Sequence, residues 1–273
     1  MQSQHEGESA YLALASYILK YGQERSDERT GDDTISVFAP PSIRFDNVGE
    51  RFPLLTTKRV FWRGVLEELL WFLRGSTDSK ELEAKKVNIW RDNTTRKFLD
   101  DRGLHHLPEG DIGRQTREEN GIDQMAEAIR LIIEDPGSRR NIVSAWNVSD
   151  LNKMALPPCH NFMQFNVSPD HTTVNLLVNM RSVDPFNIAS YAALLCLIAR
   201  ITDKNPGSLI FTMGDAHIYK NHVDGMKEQI SRTPYDPPRL VIGRKPTLDD
   251  LHTEDFVLTG YYPQPTIKFR MAI

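Results

Sequence analysis

Residues 155–167 read ALPPCHNFMQFNV, and this stretch joins a loop, a thiol and a strand in thirteen positions. Pro157 and Pro158 stiffen the backbone and remove two N–H donors, so the chain there is a loop and not a helix or a central strand. NFMQFNV behind them has the aromatic and β-branched content of a strand. The chain then runs through SPDH into TTVNLLVNM (172–180), a second strand that closes a hairpin on the first. NIASYAALLCLIAR (187–200) follows as an apolar helix.

Upstream, RNIVSAWNV (140–148) reads as a strand and TISVFAPPSIRF (34–45) as strand-like sequence broken by Pro40 and Pro41. ESAYLALASYILKYG (8–22), VFWRGVLEELLWFLRG (60–75) and IDQMAEAIRLIIEDPG (122–137) read as helices that stop at Gly22, Gly75 and an Asp-Pro-Gly turn. Helices and strands interleave without strict βαβ alternation, so the expected class is α+β, one mixed sheet covered by helices. HHLPEGDIGRQTREENG (105–121) reads as a surface excursion within one domain over 1–273, and a polar tail occupies about residues 1–8.

The chain has 40% hydrophobic and 26% charged residues, the balance of a globular protein with a real core. A net charge of −4 argues against general nucleic-acid binding. No apolar run approaches a membrane span, and MQSQHEGES is not signal-like, which points to no membrane and a cytoplasmic location. Two cysteines fit a reducing compartment.

Those cysteines differ in setting. Cys196 lies in YAALLCLIAR, apolar on nearly every side, and reads as a core thiol. Cys159 sits beside His160 at a loop-to-strand junction. A disulfide between the two is a weak reading, and with no CxxC or HExxH there is no metal-ligand spacing. A reactive thiol and a packed one both remain open from local sequence.

Arginines would favour a thiolate or an anion. Arg139 and Arg140 stand at a turn before a strand, Arg181 at a strand end next to Ser182, and Arg29 in a Gly-containing turn. The common reading of each is a solvated charge, but together they suit a phosphate. In the 60–75 helix, Val65, Leu66, Leu69, Leu70 and Leu73 share one face. Glu67 points away from it toward Arg63 as a solvated pair member. Glu68 falls on the border in a stripe with Phe61, Trp71 and Phe72, where desolvation would raise its pKa for proton transfer.

RTGDDTISVF, RFPLLTTKRVFWRGVLEELLWFLRGST, SRRNIVSAWNVSDLNKMALPPCHNFMQF, PFNIASYAALL and GDAHIYKNH together resemble the thymidylate synthase family, from about Asp27 to Ile273 and in the family's order. LPPCH with its downstream QF, and PFNIASY, are the most specific of these. The resemblance implies a homodimer, built by sheets packing against each other, that methylates dUMP to dTMP. 5,10-Methylenetetrahydrofolate would be the co-substrate, supplying both carbon and reductant, and no metal is implied. Cys159 matches the nucleophile that adds to C6 of uracil, which activates C5. His160 follows it in the motif, and Glu68 matches a glutamate working through ordered water. Arg29, Arg181 and Ser182 match phosphate ligands, with Val183 and Asp184 in the same segment. Arg139 and Arg140 match a pair reaching the other subunit's site. His217, Ile218 and Tyr219 fall where the family contacts deoxyribose; Trp90, Asn93, Asp184 and Ala272 fall on the folate side. Asn187 favours uracil, whose N3–H and O4 suit an amide, whereas related deoxycytidylate hydroxymethylases carry Asp there.

The sequence also departs from the family. Gly113 runs directly into RQTREEN and Gly121, without the family's Tyr-Gly-x-Gln-Trp segment. Asp184 joins Pro185 without a Gly-Leu-Gly loop, and Met180 replaces a Gln. A dUMP- and folate-binding variant with impaired turnover and a pyrimidine nucleotide hydroxymethylase are the alternatives.

Overall fold

The structure is a computed structural model that describes residues 6–26, 31–113 and 122–269. It opens with α1 (Glu8–Tyr21), then β1 (Gln23–Arg25), β2 (Thr34–Phe38) and β3 (Ile43–Phe45). Next come α2 (Trp62–Leu73), the short α3 (Lys80–Ala84) and α4 (Arg96–Asp101), and α5 (Gln124–Glu134). The centre of the chain supplies β4 (Ile142–Ser144), β5 (His160–Val167), β6 (Thr173–Met180), α6 (Pro185–Ile201) and β7 (Asn205–Met213). It closes with β8 (Asp215–Tyr219), α7 (Val223–Ser231), β9 (Arg239–Ile242) and β10 (Phe256–Thr259).

The expected mixed sheet is present, with strand order β3-β7-β6-β5-β4. All its pairings are antiparallel except β6 with β7. Two smaller sheets stand beside it among the described residues, β1-β2-β8, on which α1 packs, and β9-β10, which α6 touches. The parallel β6–β7 pair requires a crossover, and α6 is that crossover. α6 lies on β6 and β7, and α2 packs on α6. Buried between layers, α6 needs no polar face, and Cys196 is part of this packing.

Alternation along β5, β6 and β7 divides the sheet into two faces. Met163, Phe165, Leu176, Val178, Leu209 and Phe211 are buried beneath the helices. Phe162, Gln164, Asn175, Leu177, Asn179, Ile210 and Thr212 line a half-buried outer face. A side-chain ladder crosses that face: Asn161 donates to Asn179 (2.8 Å), and Asn179 donates to Thr212 (2.9 Å).

Three expectations need correction. Glu67 is not a solvated partner of Arg63: it is 8% exposed and accepts from Lys85 Nζ at 2.7 Å. Arg63 donates instead to the Lys85 carbonyl. α2 is enclosed on both sides because α3 and residues 85–93 fold over the flank that its periodicity assigns to solvent. The segment from residue 105 is no simple excursion, since Leu107 and Ile112 are buried in a second small core with Trp71, Leu82, Val87, Leu99 and Ala155. The polar tail ends sooner than residue 8. Glu8 begins α1, and its carboxylate accepts from the backbone N–H and hydroxyl of both Thr56 and Thr57 at 2.6–2.8 Å.

Candidate active site

Cys159 ends the proline loop immediately before β5, half-buried against the core. The Arg181 N–H donates to the Cys159 carbonyl at 2.9 Å. The Arg181 guanidinium continues the clamp, with Nε donating to the Pro158 carbonyl (2.9 Å) and Nη2 to the Pro157 carbonyl (2.5 Å). These carbonyls belong to a loop whose two prolines offer no N–H of their own, and Arg181 at the end of β6 ties it to the sheet. Burial pushes the Cys159 thiol up to about 11; Arg181 opposes this, while Asp184 and Glu68 reinforce it. Burial alone pushes Cys196 up to about 12.

His160 reaches the inner side of the sheet through a bulge. Strand alternation would place it with Phe162 and Gln164 on the outer face. The register shifts between His160 and Phe162: Phe162 opposes Asn179, but His160 opposes the buried Met180. The extra residue turns the imidazole toward α6. There, Nδ1 lies 2.5 Å from the Tyr191 hydroxyl, and Nε2 is buried with no hydrogen-bond partner. Burial lowers the His160 pKa to about 4, so the ring is neutral.

Glu68 is 9% exposed, and its Oε1 accepts from Trp90 Nε1 at 2.7 Å. The aromatic touching the carboxylate is thus Trp90, from a distant loop, whereas Phe61 stands largely exposed at the helix start. Burial pushes the Glu68 carboxyl to about 8; the Trp90 hydrogen bond lowers it, and the charge of Asp184 raises it further. Trp90 also packs edge-on against Phe72, with ring centroids 6.3 Å apart. Asn93 is buried in the turn that follows.

Direct linkage of Asp184 to Pro185 produces a well-formed helix start. Asp184 is the N-cap of α6, its Oδ1 accepting from the Asn187 N–H at 2.9 Å. Asn187 Oδ1 accepts in return from the Asp184 N–H at 3.2 Å, and Pro185 fills the first helical position. Burial pushes the Asp184 carboxyl up, against the Asn187 N–H and the Lys58 charge. Its exposed surface limits that push. Ser182 and Val183 lie half-buried in the link from β6.

Other expected residues lie on other elements. On β8, His217 pairs with Asp215 through Nδ1 at 2.8 Å and stacks edge-on with Tyr219, while Ile218 is buried. Arg139 and Arg140 are exposed at the turn entering β4, the edge strand of the sheet. Arg29, Ala272 and residues 114–121 lie outside the described residues. Gly113, at the lip of that segment, has φ +77°, and a Cβ there would meet the Lys153 carbonyl oxygen at 2.4 Å. Tyr191 is the site residue that sequence reasoning passed over. Its one signal is a phenol in an otherwise apolar helix run, four residues after Asn187.

The site gathers a thiol, a protonated buried carboxyl, a neutral imidazole, an amide and a guanidinium where β5 starts, β6 ends and the buried helix α6 begins, with the carboxyl supplied from α2. The sequence profile of the family described as "Thymidylate synthase" matches residues 9–273. The thymidylate synthase of Herpesvirus ateles is 46% identical over 97% of this chain and 98% of its own length. The human enzyme is 46% identical over 98% of this chain and 91% of its own length. That of Candida albicans is 44% identical, over 99% of both. This chain belongs to the thymidylate synthase family.

Proposed function

We propose that this chain methylates dUMP to dTMP at the junction of β5, β6 and α6, acting as one domain over residues 1–273. The observation that carries the reading is Cys159 in the loop clamped by Arg181, near enough to Arg181, Asp184 and Glu68 for their charges to act on its thiol, beside the capped start of α6. Cys159 Sγ adds to C6 of the uracil ring once it is a thiolate, a step that Arg181 favours and burial resists. Glu68 keeps its proton near neutrality and can pass it through water to the ring. This also spares the thiolate a second negative neighbour.

Asn187 reads the base. Its Oδ1 has a second lone pair beyond the one used by the Asp184 N–H, enough to accept uracil N3–H while Nδ2 donates to O4. Arg181, Ser182, Val183 and Arg29 hold the phosphate, and His217, Ile218 and Tyr219 the deoxyribose. Trp90, Asn93, Asp184 and Ala272 line the folate side, where the half-buried Trp90 ring gives a flat heterocycle an apolar wall. Methylenetetrahydrofolate supplies the one-carbon unit and the reducing hydride and leaves as dihydrofolate. A second copy of the chain packs on the outer face of the sheet, bringing its Arg139 and Arg140 to this phosphate. The protein works in the cytoplasm.

Dihydrofolate formation from dUMP and methylenetetrahydrofolate, followed by absorbance, tests the reading. Turnover should depend on Cys159, and dUMP should bind at least about tenfold better than deoxyuridine, since charge-assisted bonds contribute ~1.5–3 kcal/mol each. Equal affinity for nucleoside and nucleotide would overturn it. Binding with weak turnover is the second reading, favoured by a thiol held near 11 and by the absence of tyrosine from residues 114–121. Under it, 5-fluoro-dUMP still binds, while turnover falls about 10²–10⁴-fold below that of a chain carrying the family's segment.

A further inference from the structure

Tyr191 has no part in the reading above, yet its hydroxyl is the one hydrogen-bond partner of the His160 ring among the described residues. The two rings meet edge-on with centroids 5.5 Å apart, and Tyr191 is itself 9% exposed and packed against Phe211. Both groups are therefore held in place with little freedom to find other partners.

Two proton arrangements fit a 2.5 Å contact between a phenol and Nδ1. If Nδ1–H donates, the phenol hydrogen has no acceptor and Nε2 is a buried, unpaired acceptor, which makes two unmet groups. If the phenol donates, both it and Nδ1 are satisfied, and only Nε2–H is unmet. A buried polar group left unpaired costs about 1–3 kcal/mol, so the second arrangement prevails.

We propose that Tyr191 is a positioning residue: its O–H donates to His160 Nδ1 and fixes the Nε2–H tautomer, so that the ring offers one donor to a carbonyl oxygen of the bound pyrimidine. The identity of that ligand rests on the proposed function; the tautomer does not. Two features of the chain build the device. The bulge at the start of β5 turns His160 inward to α6. Tyr191 lies one turn beyond Asn187, so the capping box that sets the start of α6 also sets the height of the phenol. A neutral donor suits a carbonyl that gains negative charge as the thiolate adds to the ring.

Long-range proton–nitrogen correlation on the ligand-free full chain, labelled with ¹⁵N-histidine, reads the tautomer directly, and H160Q identifies the signal. His160 should show a protonated Nε2 and an unprotonated Nδ1. In Y191F the two forms should mix, the adduct with 5-fluoro-dUMP should form about tenfold more slowly, the value of one hydrogen bond, and kcat should fall more than KM rises. A protonated Nδ1 in the wild type, or an unchanged tautomer in Y191F, would overturn the proposal. If Y191F does not fold, the wild-type spectrum still decides. The expected tautomer in a chain that binds no nucleotide would support the role of Tyr191 and count against the proposed function instead.

Discussion

Replacing Glu68 with glutamine should stabilise the protein in alkaline solution while disabling its chemistry. In the folded chain, burial pushes this carboxyl to about 8, against an ordinary value of 4.5. Between those values the folded chain keeps a proton that the unfolded chain has lost, so unfolding free energy falls as pH rises. The contribution is complete below 4.5 and gone above about 8. At about 1.4 kcal/mol for each tenfold change in proton affinity, the swing has a ceiling of ~5 kcal/mol. Water entry and relaxation around the charge cut this to about 2–3 kcal/mol. Glutamine has the same shape, still accepts from Trp90, and never ionises. Urea unfolding of both proteins by tryptophan fluorescence, at equal concentration and at about pH 5 and about pH 9, isolates the group because every other titrating residue is shared. E68Q should lie within about 1 kcal/mol of the wild type at the lower pH and about 2–3 kcal/mol above it at the higher. Turnover should meanwhile fall about 10²–10⁴-fold. A stability gap independent of pH, or a less stable E68Q at the higher pH, would refute the reasoning.

The two thiols should also separate in reactivity. Iodoacetamide followed by mass spectrometry should label the half-buried Cys159 well before Cys196, and dUMP should slow the first; equal labelling, or no protection by nucleotide, would count against the nucleophile. At the start of α6, D184A removes the cap and should cost about 1 kcal/mol in a thermal melt, while D184N keeps an accepting oxygen and should cost little. Equal losses in the two variants would mean that the carboxylate charge, not the cap, holds the helix.

Much of the fold is local and therefore legible. The apolar face of α2 (Val65, Leu66, Leu69, Leu70, Leu73) is buried as its spacing demands, and the β5–β6 hairpin follows from alternation around a short turn. The proline loop, Cys159 and the PFN helix start can be read because each is a run of adjacent residues carrying its own backbone consequence. Beyond that reach, partners come from far along the chain. β7 pairs parallel to β6 only after α6 has crossed over, so no turn announces it. Lys85 reaches back to Glu67, burying a residue that periodicity assigns to solvent, and Trp90 reaches back to Glu68, a border residue whose raised pKa is expected from the sequence but whose hydrogen-bond partner is not. One extra residue at the start of β5 sends His160 to Tyr191 instead of to the outer face. Sequence thus determined which chemical groups are present and which elements carry them. The tertiary structure decided their protonation and their partners, because desolvation and hydrogen bonding depend on what surrounds a group in space, and periodicity reports only its neighbours along the chain.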